Sequence, residues 1–207
     1  MTYKHALKSL LVVGAAVGLS GCISVFPKAP PPQMYRFGAA TTAAVATAPA
    51  TARIARTPTA FTRPAAGDRM LTVNGQEIAY IAEARWVAPA ALMFDDAVEH
   101  AFDSRESGPR LVTRGDLQTA DMALRLDVDT FETRYLSGTD AAPTVVLSMT
   151  ATLVRVRDRA VMGEKVFTAE KRAYANRVGA IAEAYDEAVK EGLDGMTDWV
   201  AGTVAAG

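Results

Sequence analysis

Apolar residues recur at Ala90, Met93, Phe94, Ala97, Val98, Ala101 and Phe102, the i, i+3, i+4, i+7 spacing of a single helix face. Asp95, Asp96 and Glu99 fall off that stripe, Pro89 suits a first helical turn, and Gly108-Pro109 lies past the end. A second helical pattern runs through Val178, Ile181, Ala182, Tyr185, Ala188, Val189, Met196, Trp199 and Val200, with Gly192 and Gly195 as local weak points. Between the two patterns the period changes to two. Met122, Leu124, Leu126 and Val128 alternate with Ala123, Arg125, Asp127 and Asp129, which predicts a strand wet on one face. Val145, Leu147, Met149, Ala151 and Leu153 alternate in the next strand, and Arg157-Asp158-Arg159 turns into a third from about Ala160 to Tyr174.

Upstream, Met70–Val73 and Ile78–Ile81 flank Asn74-Gly75, a pair that tolerates positive φ in a hairpin turn. Short strands are predicted at Met34–Phe37, Arg53–Arg56 and Leu111–Thr113. The order strands, helix, strands, helix predicts an α+β fold: a mostly antiparallel sheet with two main helices packed on one face. Trp86, just ahead of the first helix, reads as a core anchor closing that helix on the sheet, with partner recognition as the alternative.

The N-terminus has a different character. Lys4 and Lys8 precede the apolar run Leu10–Leu19, too short for the roughly 20 residues a bilayer span needs but suited to a secretory signal. Leu19-Ser20-Gly21-Cys22 follows, with the only cysteine of the chain at its end. The tetrapeptide resembles the bacterial lipobox, which implies cleavage between Gly21 and Cys22, a diacylglycerol on the Cys22 sulfur and an N-acyl chain on its amine. Two lipid signals already anchor a protein stably. Ile23 rather than an aspartate follows the cysteine, which in the enteric sorting pattern favours the outer membrane. The predicted organisation is a lipoprotein signal peptide at 1–21, a lipidated N-terminus and Pro-rich tether at 22–33, and a domain at 34–207 with a low-complexity Ala/Thr loop at 39–52.

Composition narrows the function. The chain has 207 residues, half of them hydrophobic, and a formal net charge of −1, so it lacks the basic excess of a nucleic-acid binder. Residues 23–66 carry five basic side chains and no acid, whereas residues 67–207 carry 15 basic and 23 acidic ones. One cysteine rules out an intramolecular disulfide or a cysteine zinc cluster. Once the signal is removed His100 is the only histidine, so a Ser-His-Asp enzyme would have to use it, and no G-x-S-x-G motif accompanies it. Asp127 and Asp129, with Glu132 nearby, are candidate paired carboxylates. The plainer reading makes them the wet face of a strand, pairing with Arg155 or Arg157. Asp95, Asp96, Glu99 and Asp103 form an acidic helix face, either solvated or a partner-docking surface. No Walker-type loop or dinucleotide fingerprint is present. No metal and no cofactor is expected beyond the lipid on Cys22.

Behind the lipobox, a set of segments occurs in a consistent order: Tyr35-Arg36-Phe37, Asp68–Val73, Ile78-Ala79-Tyr80, Ala84-Arg85-Trp86-Val87-Ala88-Pro89, Leu124–Val128 and Phe167–Glu170. In this the chain resembles the ABC-type transport auxiliary lipoproteins, which include the paraquat-inducible protein C-like lipoproteins. The resemblance implies a non-enzymatic, palmitate-bearing lipoprotein of the outer membrane that faces the periplasm. Its implied partners are an MCE-domain protein with its ABC permease and ATPase, which move lipids between membranes, and a homo-oligomer is compatible with it. Trp86, Asp95, Asp96 and Glu99 are then candidate docking residues. The competing expectations are a stand-alone envelope lipoprotein that binds lipid or peptidoglycan, and an envelope hydrolase based on His100.

Overall fold

The long alternating run after residue 120 builds the centre of the molecule. In the computed structural model, which describes residues 31–38, 49–112 and 120–207, β7 (Met122–Arg134), β8 (Thr144–Arg155) and β9 (Val161–Arg172) form the antiparallel meander read from the sequence. A register shift between Val128 and Thr130 moves the inward set of β7 from Met122, Leu124, Leu126 and Val128 to Phe131 and Thr133. A bulge has this effect, because one extra residue reverses the parity of the pleat.

The second edge of β7 is shared by three short strands, all parallel to it. β2 (Ala50–Arg56) pairs at Met122–Leu124, β3 (Ala60–Phe61) at Asp127–Val128, and β4 (Arg69–Asn74) at Thr133–Arg134. One stretch of chain thus runs along β7 in the same direction, broken by segments that contain Pro58 and Pro64, residues without an N–H for the ladder. β5 (Glu77–Trp86) returns antiparallel to β4, β1 (Gln33–Tyr35) lies parallel on β5, and β6 (Gly108–Leu111) lies parallel on β2. Among the described residues the result is a nine-stranded mixed sheet. This corrects the expectation of a mostly antiparallel one: the meander is antiparallel, but β1, β2, β3, β4 and β6 each take a parallel neighbour. Pro109 sits in β6, an edge strand, where a missing N–H is tolerated.

Three local expectations shift. Asn74 and Glu77 form the closing pair of the β4–β5 hairpin, so the loop is Gly75-Gln76 rather than Asn74-Gly75, with Gly75 at φ +60°. β2 begins at Ala50, which takes the end of the expected 39–52 loop into the sheet; residues 39–48 lie outside the described residues. The strand expected at 111–113 forms instead at Gly108–Leu111, and Thr113 lies outside the described residues.

Helices α1 (Ala90–Asp103) and α2 (Val178–Ala206) cover the same face of the sheet, since Phe94 and Tyr185 both pack on Phe131. The α1 stripe is buried as its spacing predicts, at Ala90, Met93, Phe94, Ala97, Val98 and Phe102. α2 runs unbroken through both interior glycines. Gly192 faces β8, where a Cβ would stand 2.8 Å from Leu147 Cδ2, so its missing side chain lets helix and strand approach closely. The core centres on an aromatic cluster in which Phe131 touches Phe37, Phe61, Trp86, Phe94 and Tyr185. Leu124, Leu126, Leu147, Met149 and Leu153 extend it along the sheet.

Candidate docking surfaces

The docking residues singled out from the sequence separate into different environments. Trp86 is 1% exposed. Its ring meets Phe37 and Tyr185 edge-on at centroid distances of 5.0 and 5.1 Å. This is the geometry of a core anchor, and it leaves no part of the indole for a partner.

Asp95 is half-buried. It accepts hydrogen bonds from Thr59 N–H at 3.0 Å and Thr59 Oγ1 at 2.7 Å, and it forms an ion pair with Arg56. The second arm of Arg56 reaches Glu99 at 3.0 Å. α1 is thereby fastened to the connection between β2 and β3. The Arg56 and Asp95 side chains are 10% and 19% exposed, and Glu99 is 59% exposed. Asp96 is exposed. Beside this knot opens a cleft of about 350 Å³, lined by Arg56, Pro58, Asp95, Glu99, Asp103 and Leu111 among others. The acidic helix face is therefore partly structural, at Asp95 and Glu99, and partly free, at Asp96.

His100 is exposed, with Nδ1 at 3.4 Å from the Gly38 carbonyl oxygen. It has Asp186, Lys190 and Asp194 of α2 across a shallow cleft. No serine or cysteine nucleophile stands within hydrogen-bond distance of it among the described residues. Asp127 accepts from Arg125 Nε at 2.8 Å and Asp129 from Thr150 Oγ1 at 3.3 Å. The expected pairing of these carboxylates with Arg155 or Arg157 does not form. Arg155 lies opposite Met122, and both arginines are near Asp158 in the β8–β9 turn. The Asp158 carboxyl is held below its usual range, chiefly by the Ala160 N–H, with Arg155 and Arg157 adding to the effect. Among the described residues no group of three His, Cys, Asp or Glu side chains is placed to hold a metal ion.

The two helices carry ten acidic residues and one lysine, Lys190, so the layer they form is strongly acidic. Among the described residues neither helix packs on the opposite face of the meander, where half-buried Ser148 and Thr150 of β8 and the buried Thr152 lie between β7 and β9. A third surface escaped the sequence reading, a groove between β1 and the first turns of α2. Its existence depends on β1 taking the outermost place in the sheet, which no local pattern signals. Cys22 and Gly21 lie outside the described residues. Among the described residues no helix is long and apolar enough to cross a membrane.

A model of the ABC-type transport auxiliary lipoprotein component family matches residues 39–196, well over half of the chain. The chain belongs to that family. The fold agrees. A Xanthomonas campestris protein of the DUF330 family superposes with a TM-score of 0.72 at 21% identity, over 84% of this chain and 97% of that one. A hypothetical protein from Chlamydia trachomatis superposes at 0.53 with 10% identity, over 75% and 99%. At such identities the likeness concerns the fold alone. No curated protein matches at a significant level. Membership in this family ties the chain to ABC-type transport as an auxiliary lipoprotein component.

Proposed function

We propose that this chain is the lipid-anchored auxiliary component of an MCE-type ABC transport system. In this reading Cys22 carries the diacylglycerol and N-acyl chains and holds the protein in the outer membrane, while the domain faces the periplasm. There it docks the MCE-domain protein whose permease and ATPase drive lipid movement between the membranes. The protein works by binding and positioning, without catalysis.

The family match carries this reading. The lone cysteine at the end of Leu19-Ser20-Gly21-Cys22, with Ile23 after it, supports the anchor and its membrane. The acidic helical layer supports the docking role, because a patch of one sign steers and registers a partner of the other.

The test is in-cell crosslinking of the lipidated protein, affinity purification and mass spectrometry, alongside a Cys22→Ala variant. Recovery of an MCE-domain protein or its permease is the expected result. Cys22→Ala should lose incorporation of labelled palmitate and leave the outer-membrane fraction. An abundant, correctly anchored protein that brings down no such partner would overturn the transport reading.

A further inference from the structure

Among the described residues β1 sits at one end of the sheet and is paired only with β5. The Tyr35 carbonyl accepts the Val87 N–H at 2.8 Å, and Tyr35 lies opposite Trp86. In a parallel ladder each residue directs its N–H and C=O to the same side, and the side alternates along the strand. The peptide groups of Met34 and Arg36 therefore point away from β5, out of the sheet. No bond from any described group satisfies them. Among the described residues they form the open edge of a strand.

Helix α2 runs beside that edge. Between them is a groove of about 540 Å³, with Tyr35, Gly179 and Ala182 among its lining residues and a wall of Glu183, Asp186 and Glu187. The small side chains at 179 and 182 give it width. Met34 stands at the groove 54% exposed. One oxygen of Asp186 is engaged by the Gly38 N–H at 2.7 Å. Glu183 and Glu187 are exposed and make no ion pair among the described residues. Among the described residues Arg36 is the one cation lining the groove, against three carboxylates.

We propose that this groove binds an extended, Lys- or Arg-bearing segment of a partner protein, which adds to β1 as a further strand. The backbone of the segment would meet the outward peptide groups of Met34 and Arg36, and its cationic side chains would meet Glu183 and Glu187. Strand addition at an open sheet edge beside a helix is an established mode of peptide recognition, with the backbone giving affinity and the flanking side chains giving specificity. The carboxylate wall selects for positive charge and repels an anionic lipid headgroup or a nucleic acid. The outward peptide groups select for a polypeptide backbone. The inference deepens the docking role proposed above and rests on it only for the identity of the partner.

The test uses the full chain in detergent micelles and three fluorescein-labelled heptapeptides. One alternates lysine and valine, one alternates glutamate and valine, and one is the lysine peptide with alternate backbone amides N-methylated. The lysine peptide should saturate below about 1 mM and the glutamate peptide should not bind. N-methylation on the strand-facing side should weaken binding about tenfold or more, as should Glu183→Lys with Glu187→Lys. Both glutamates are exposed, so an unchanged melting temperature in the double variant shows that the fold is intact. Equal binding of both charged peptides, indifference to N-methylation or indifference to the charge reversal would each overturn the proposal.

In cells, a photo-crosslinker at Met34 separates the two readings. An adduct within a Lys- or Arg-bearing segment of an MCE-domain protein supports both. An adduct within such a segment of another protein, lost in the double variant, supports the groove and removes the MCE reading. An adduct to a second copy of this chain or to phospholipid overturns the groove proposal.

Discussion

The carboxylate of Asp95 accepts from the backbone and hydroxyl of Thr59 and from Arg56, so a single side chain holds α1 to the chain that lies along β7. Replacing it with alanine leaves the Arg56 guanidinium, 10% exposed, without its main partner. Asp95→Ala should cost about 2–3 kcal/mol in urea unfolding. Glu99→Gln, at the exposed end of the same arginine, should cost less than about 1 kcal/mol. Equal losses from the two would mean that the knot is a surface ion pair and nothing more. Tyr185 gives a second residue-scale case. Its hydroxyl is fully buried, accepts from Thr133 Oγ1 at 3.2 Å and donates to the Leu71 carbonyl at 3.4 Å. Burial pushes its pKa well above the usual tyrosine range. Above about pH 10 the unfolded chain releases this proton and the folded chain keeps it. The contribution is therefore fully present below pH 10 and is lost as the pH rises beyond it. The melting temperature of the wild-type protein should fall more steeply between about pH 10 and 12 than that of Tyr185→Phe. Parallel curves for the two proteins would show that the phenol titrates in the folded state.

At the scale of elements, the interior glycines of α2 separate helix propensity from packing. A Cβ at Gly192 would stand 2.8 Å from the fully buried Leu147, whereas nothing lies within 4 Å of one at Gly202. Alanine gains up to about 1 kcal/mol over glycine in a helix. Gly202→Ala should therefore raise stability by about 0.5 kcal/mol near the helix end, whereas Gly192→Ala should lower it by about 1–2 kcal/mol through overpacking. Thermal melts of the two variants would show opposite signs. The same contrast marks what a sequence pattern can reveal. The α1 stripe, the β7–β9 meander and the β4–β5 hairpin are legible because each is long or closed by a short turn, so period and turn chemistry act locally. The parallel placement of β2, β3 and β4 is not. Each contributes only two or three ladder pairs to β7, and those pairs form only once β7 has presented a free edge. The candidate site divides in the same way. The acidic face of α1 could be read from spacing. The Asp95–Arg56 contact and the groove beside β1 could not, because each joins residues that only the sheet order brings together.

Across the whole molecule, stability should be unequal in a way that bears on docking. β7 and β8 have neighbours on both edges, are paired with each other along almost their full length, and lie beneath α2. Opening either of them exposes the central core and amounts to unfolding the protein. Among the described residues β1, three residues long, has a single neighbour and an open edge, so it can detach at the cost of a few local contacts. Local opening free energies range from near zero at such edges to the full unfolding free energy in a central strand. Hydrogen–deuterium exchange should therefore find the amides of Leu124, Leu126, Leu147 and Met149 among the last to exchange. The amides of Met34 and Arg36 should exchange orders of magnitude sooner, close to the rate of unprotected amides, because no described group accepts their N–H. Adding the lysine–valine peptide should slow Met34 and Arg36 and leave β7 and β8 unchanged, because a bound strand supplies the acceptors that the edge lacks. Protection of β1 equal to that of β8 without any peptide would mean that the edge is already covered, and the groove could not then serve as an open docking site. Fast exchange that the peptide does not slow would place its binding elsewhere on the acidic helical layer. The proposal therefore requires an edge that is loose when free and protected when occupied, and this measurement reads both conditions on the same amides.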